Sequence, residues 1–353
     1  MKSIVQDRYG ADAENVLRLD EVEQPTIGDD EVLVRVHAAS VDRGTWHVMA
    51  GLPYPIRVAG FGLRGPKYRN PGRSLAGTVE AIGAAVTAFT PGDEVFGVGD
   101  SSFAEFARAR PDKLAAKPAN LTFEEAAAVP ISGLTALQAV RDHGKVVPGQ
   151  HVLILGAAGG VGSFAVQIAK AFGAVVTGVA STEKLETVRG LGADDVIDYT
   201  ANDPVDGGQQ YSSQQYDVIL DIAGNRRLSD LRRALTPAGR LVIVGGETDG
   251  RWIGGVDRQL RAHVWSMFVP QHLGTFISSE NATDLEALRE LIESGRVRPL
   301  IDRSYALDDT AAAIQHLVDG RTRGKLVITV SDRPEPALAG RSRASENRPH
   351  RAR

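Results

Sequence analysis

The chain has 353 residues, 42% hydrophobic and 24% charged, a globular composition with length enough for two domains. Its formal net charge of −4 and its lack of cysteine argue against a basic nucleic-acid footprint and exclude disulfides and thiolate metal sites. No apolar run approaches the roughly 20 residues that span a bilayer, and the opening "MKSIVQDRYG" has no signal-peptide core, so a cytoplasmic protein without membrane or nucleic-acid partners is expected.

Residues 1–118 hold short alternating segments separated by turn pairs. "EVLVRVHA", with Val32, Val34 and Val36 on one side, "SLAGTVEAIG" and "DEVFGV" read as strands, which predicts a small β-rich domain. From "TFEEAAAVPISGLTALQAV" the pattern changes to helices alternating with the apolar strands "HVLILG", "VVTGVA", "DVIDY", "YDVILDIAG" and "RLVIVGG". Thr122 and Glu125 are spaced as a capping box at the start of that section. Such alternation implies βαβ units and a parallel sheet over residues 119–270. The polar stretch 203–215 reads as a surface loop. Beyond it, "ATDLEALRELIESG" predicts an amphipathic helix, and "IDRSYAL", a further helix and the strand "GKLVITV" follow. Residues 271–331 are predicted to return to the first domain. The tail 332–353, with six arginines and no apolar period, is predicted to be disordered.

The segment "VLILGAAGGVGSFAVQIAKAFGA" joins a strand to a helix through glycines. Val152 to Leu155 suit a strand buried on both faces. Phe164, Ala165, Ile168, Ala169 and Phe172 recur at helical spacing, and Gly173 stands where a C-terminal cap belongs. A turn there offers free backbone N–H groups and the positive end of a helix dipole to a phosphate. As a dinucleotide fingerprint its register is Ala157, Gly159 and Gly162, with alanine for the first glycine, and Gly160 and Val161 complete the turn. The second strand that such a site requires is Val175 to Val179. A tight turn without a ligand is the alternative. A P-loop and a nucleophile elbow are both excluded by the residues that follow.

In this order the parts resemble the medium-chain dehydrogenase/reductase superfamily. "AAVPISGLTALQAV", "GAAGGVGSFAVQIAKAFGA", "LGADDVIDY" and "GRTRGKLVITV" are similar to its zinc-free, quinone oxidoreductase-like branch. The resemblance covers roughly residues 1–331. It implies an α/β fold in which a GroES-like β-rich catalytic domain (1–118 and 271–331) joins a Rossmann doubly wound parallel-sheet domain (119–270). It also implies NADPH-dependent reduction of quinones or α,β-unsaturated carbonyl compounds, in a homodimer. Zinc-dependent relatives place metal ligands where this chain has Asp42, Gly72-Arg73-Ser74 and about Ile131. Arginine and isoleucine are not ligands, so no zinc is expected.

An acid ending the second strand binds the ribose hydroxyls in NAD enzymes. Here Ala180 takes that place, and Ser181, Lys184 and Tyr199 follow as in NADPH-using quinone reductases. NADPH is therefore the expected cofactor. The bland alternative makes Lys184 a solvated helix-start residue and Tyr199 a strand-end aromatic.

By the same resemblance Thr135 helps to place the nicotinamide carboxamide, and Asp42 stands where quinone reductases usually carry Asn. An ionised Asp only accepts hydrogen bonds, so Asp42 either is protonated in a dry cleft or orients a neighbour. His47, five residues on, is the candidate neighbour and a candidate general acid. A satisfied structural or exposed histidine is the alternative, and it ranks ahead of the catalytic role. Tyr54 and Tyr68 are weaker candidates, Trp46 reads as a pocket wall, and Asp217 and Asp221 receive no catalytic role. A non-catalytic NADPH-binding redox sensor or partner-binding protein stays open beside the reductase, and a zinc alcohol dehydrogenase ranks below both.

Overall fold

The computed structural model describes residues 1–201, 215–224, 226–245 and 256–330. Most of the polar stretch 203–215 and the tail 332–353 lie outside the described residues.

Alternation in the first third produces antiparallel strands. β1 (Lys2–Val5) and β2 (Arg18–Glu21) form a ribbon. β3 (Val32–Val41), β4 (Ser74–Ile82), β5 (Glu94–Val98), β6 (Phe106–Ala109) and β7 (Leu114–Ala116) build a larger sheet, with β3 paired to both β4 and β6. Asp42 ends β3, and α1 (Arg43–Ala50) starts at once. Val32, Val34, Val36, Val95 and Ala107 are buried in this domain's core.

The second section opens with α2 (Phe123–Ala127), whose Thr122–Glu125 capping box is formed from both sides. The predicted helical run then breaks: Pro130, at the first helical position where no N–H is needed, begins α3 (Pro130–Gln138). Next come β8 (His151–Leu155), α4 (Gly160–Ala171), β9 (Val175–Ala180), α5 (Leu185–Gly190), β10 (Asp195–Asp198), β11 (Tyr216–Asp221), α6 (Leu228–Arg233), β12 (Leu235–Ile243), α7 (Val256–Ser266) and β13 (His272–Thr275). The six strands pair in parallel in the order β10-β9-β8-β11-β12-β13. This is the doubly wound order, whose switch point lies beyond the carboxyl ends of β8 and β11. Val152 and Ile154 face the core under α4, while Leu153 and Leu155 face the opposite layer with Leu231 and Ala262, which is why β8 is apolar at every position but His151.

β13 corrects one expected boundary. Its pairing with β12, Leu241 opposite Leu273, carries the parallel sheet past residue 270, because α7 delivers one more short strand to the edge. After α8 (Ala282–Glu293) the chain does return: β14 (Ile301–Ala306), α9 (Thr310–Val318) and β15 (Lys325–Thr329) follow, and β15 lies antiparallel to β3 with Leu326 opposite Val41. No helix among the described residues is long and apolar enough to cross a membrane.

Side-chain hydrogen bonds tie α3 to α8. Gln138 donates to Asp284 at 2.8 Å and to the Ser279 carbonyl at 2.8 Å, and Arg141 pairs with Asp284 at 2.7 Å. Asp284 is 6% exposed. Burial alone would raise its pKa, but bonds from Asn281, Arg141 and Gln138 outweigh burial and hold the carboxyl below its ordinary value. Asp284→Ala leaves Gln138 and Arg141 unpartnered there. It is expected to lower unfolding free energy by about 2–4 kcal/mol, read as a lower denaturant midpoint at unchanged slope; a midpoint equal to wild type would show that the network contributes nothing.

Candidate active site

The glycine turn begins at Gly156, just past β8, in a left-handed conformation (φ 83°) that favours glycine. The Gly156 and Ala157 N–H groups donate to the Val179 carbonyl of β9 at 3.2 and 3.0 Å. Gly159 caps α4 from extended backbone, and the helix starts at Gly160, a turn earlier than the apolar period from Ser163 indicates. The first N–H groups of α4 therefore face the switch point without intrahelical partners. Gly162 faces the other way. A Cβ there would stand 2.1 Å from the Gly156 carbonyl oxygen, so its role is the close approach of helix to strand. Ala157 is fully buried behind the turn.

A cavity of about 330 Å³ opens over this turn, lined at the glycines by Gly156, Ala158, Gly159 and Gly160. Its far end is lined by Ala180, Ser181, Lys184 and Tyr199, and its third side by Leu317, Gly320, Thr322 and Gly324. Ala223 and Arg226, after β11, close it. The structure thus gathers Gly159, Gly160, Ser181, Lys184 and Tyr199, while Ala157, Val161, Gly162 and Thr135 are not in the lining. Sequence reasoning missed Gly156, Ala223, Arg226 and the wall from Gly320 to Gly324. The two glycines of "GRTRGK" were the available signal for that wall.

Lys184 stands at the start of α5, where it is half-buried and tied to the returning segment. Its Nζ donates to the Gly320 carbonyl at 3.1 Å and the Thr322 carbonyl at 3.0 Å. A lysine has three N–H donors, so one remains for a ligand. Burial lowers the Lys184 pKa, Arg323 adds to the lowering, and Glu183 and Asp302 oppose it. Tyr199 is 52% exposed, with its backbone N–H on the Ala180 carbonyl. Asp198, opposite Ala180 in the sheet, lies outside the lining, and its carboxylate accepts from Thr182 and Thr200.

The other candidates lie outside the lining of this cavity. Asp42 is 8% exposed and accepts the Thr45 N–H as the cap of α1, while its second oxygen has no hydrogen-bond partner among the described residues. His47 Nδ1 bonds the Leu52 carbonyl at 2.8 Å, and the ring meets Trp46 edge-on. Asp42 therefore engages the backbone of its own helix, and His47 engages the loop that follows that helix. The Arg57 guanidinium lies over the Tyr54 ring at 4.8 Å, and Tyr68 meets Phe61 edge-on. Thr135 Oγ1 lies 2.7 Å from the Ile131 carbonyl and 3.1 Å from Ser278 Oγ. Lys325, which sequence reasoning passed over, is 2% exposed and donates to Ser132 Oγ at 3.1 Å. Asp221 accepts the Gly224 N–H and pairs with Arg258, and Asp217 accepts the His151 N–H; both act in the scaffold.

The positions aligned with zinc ligands do not fit a metal. Arg73 pairs with Glu280 at 2.7 Å, beside Lys113 at 2.9 Å, and among the described residues no three His, Cys, Asp or Glu side chains converge.

Comparison with known proteins agrees with this geometry. The model described as "Alcohol dehydrogenase GroES-like domain" matches residues 28–148, and the one described as "Zinc-binding dehydrogenase" matches residues 191–328. The chain is 33% identical to the human mitochondrial NAD(P)H oxidoreductase RTN4IP1 over 94% of its length and 89% of that protein's. It is 31% identical to the quinone oxidoreductase of Sus scrofa, over 86% and 90%. Among solved structures, the quinone oxidoreductase from Coxiella burnetii superposes with a TM-score of 0.78 at 29% identity, over 94% of this chain and 99% of that one.

Gly162→Ala would drive a Cβ into the turn's backbone. It is expected to destabilise the protein by about 2–4 kcal/mol, as overpacking against fixed backbone does, and to weaken every dinucleotide alike. Wild-type stability together with wild-type affinity would contradict the packing role.

Proposed function

Because the chain belongs to the medium-chain dehydrogenase/reductase superfamily and is an oxidoreductase that uses a nicotinamide cofactor, we propose that it is a zinc-independent, NADPH-dependent reductase of quinones or α,β-unsaturated carbonyl compounds. The observation that carries this reading is the far end of the cavity, where the strand ends in Ala180 and Ser181, Lys184 and Tyr199 stand in its place.

With no carboxylate at position 180, a 2′-phosphate meets no fixed negative charge at the strand end. Lys184, anchored by two carbonyls, presents its remaining N–H at low entropic cost, and the Ser181 and Tyr199 hydroxyls add donors. The nicotinamide supplies a hydride when bound. The chain's own residues hold the dinucleotide on the α4 N-terminus, exclude water and manage one proton. Asp42, His47 and Tyr54 are the proposed groups for that proton and for orientation, with Thr135 beside the carboxamide. Quinones and enones accept hydride at a carbon already conjugated to a carbonyl, so they do not need the Lewis acid that alcohol oxidation uses. Asp42, Arg73 and Ile131 at the metal-ligand positions support that choice.

A second copy of this chain is the proposed partner. β13 ends the parallel sheet, and beside it Leu260, Met267, Phe268 and Ile277 are 64, 66, 80 and 96% exposed, an apolar surface suited to burial against a copy. Light scattering is expected to give twice the 37.6 kDa chain mass, and a monomer at micromolar concentration would contradict it.

The activity test is loss of NADPH absorbance with a panel of simple quinones and enones; no turnover with any of them would defeat the reading. Lys184→Ala is expected to weaken NADPH by about tenfold or more and to leave NADH nearly unchanged. The pH dependence follows from the lowered Lys184 pKa. Phosphate binding favours the charged lysine, so NADPH affinity is fully present below the depressed pKa and falls as pH rises through it, sooner than for an ordinary lysine. NADH affinity measured over the same range should stay flat, and parallel curves would remove Lys184 from phosphate recognition.

A further inference from the structure

Lys325 is a charged residue buried at the junction of two domains, where an unpaired ammonium is expensive. Its backbone belongs to β15, next to the residue that pairs with Val41, which places it opposite the end of β3 where Asp42 stands. Its stem passes the glycine turn: a Cβ on Gly160 would lie 3.2 Å from Lys325 Cδ. Its Nζ then reaches Ser132 on α3. Asp42 brings a second anomaly to the same place. One of its oxygens caps α1, and the other, like the hydroxyl of Thr45, is buried without a hydrogen-bond partner among the described residues.

The Arg43 guanidinium lies over Trp46, His47 bonds the Leu52 carbonyl, Glu124 meets Thr329, and Asp302 pairs with His316. Burial lowers the Lys325 pKa, and Asp42 is the one charge that works against that lowering. Ser132 offers Lys325 a hydrogen bond but no charge.

We propose that Lys325 is the positioning residue for Asp42: the buried ammonium, fixed to α3 through Ser132, balances the charge of the buried carboxylate across the end of the β3–β15 pair and so sets the direction of its unpartnered oxygen. The inference rests on the reductase reading for its catalytic consequence and on the fold alone for its charge pairing. A buried carboxylate is tolerated when a buried cation faces it.

The test is a double-mutant cycle on the full chain with Lys325→Met, Asp42→Asn and the pair together, read by urea unfolding without cofactor or substrate. Lys325→Met should lower the midpoint strongly, and adding Asp42→Asn should restore most of the loss, because no buried charge is then left alone. Lys325→Gln keeps a hydrogen-bonding group toward Ser132 without the charge, and it should behave like Lys325→Met. With NADPH and a quinone, Lys325→Met should lower kcat by about tenfold or more while the quinone KM moves by less than roughly threefold, and Lys325→Arg should recover most of the rate. If Lys325→Met does not fold, the double variant is still expected to do so. Additive midpoints, a double variant no better than the single, or a Lys325→Gln variant equal to wild type would each overturn the proposal. A wild-type protein inert toward quinones would defeat the reductase reading and leave the unfolding cycle to decide the pairing.

Discussion

The hydrogen bond from the Gly324 N–H to the Ala158 carbonyl, 2.8 Å long, joins the last strand of the chain to the glycine turn, and the arrangement of the cavity depends on that contact. β15 belongs to the sheet begun by β3, so the contact sets the first domain directly against the N-terminal end of α4. One wall of the cavity, from Leu317 to Gly324, is brought there by the same return. Without it the α4 N-terminus would face water, and its dipole would be screened within the first turn.

Burial at this junction decides how its charges act. Lys184 is held by two carbonyls of the returning segment and Lys325 by a hydroxyl of α3, so neither cation is a mobile surface lysine. An ammonium that is already desolvated and already oriented loses little more on meeting an anion, and its interaction with that anion is stronger than in bulk water. Lys184 lines the cavity, and Lys325 is buried behind the glycine turn, outside that lining. Lys184 stands beside the end of β9, and Lys325 stands opposite Asp42 at the end of β3.

Much of this architecture was legible in the sequence because it is local. Apolar alternation marked β3, β4 and β5, continuous apolar residues marked β8, the Thr122–Glu125 spacing marked the start of α2, and the glycine turn marked the phosphate end of the cavity. The missing acid at Ala180 was also readable. What was not legible depends on contacts between distant residues. The short strand β13 has too few residues to show a period, so the end of the parallel sheet was placed too early. Gly156 was read as the end of a strand, since a positive φ is set by the turn and not by the residue alone. Asp42 was read as either protonated in a dry cleft or orienting a neighbour such as His47, and the capping geometry that gives one of its oxygens to the Thr45 N–H was not foreseen. Lys325 drew no reading of its own within the closing strand, and only its placement against Ser132 of α3 and Gly160 of α4 shows it to be interior.

The central claim is that the far end of the cavity selects the 2′-phosphate. Equilibrium titration of one preparation of the protein with NADPH and NADH, by ligand fluorescence at moderate salt, tests it most directly. Two good charge-assisted contacts contribute about 1.5–3 kcal/mol each, so NADPH should bind about a hundredfold more tightly or better. Equal affinities, or tighter NADH, would contradict the account and return Ser181, Lys184 and Tyr199 to structural roles.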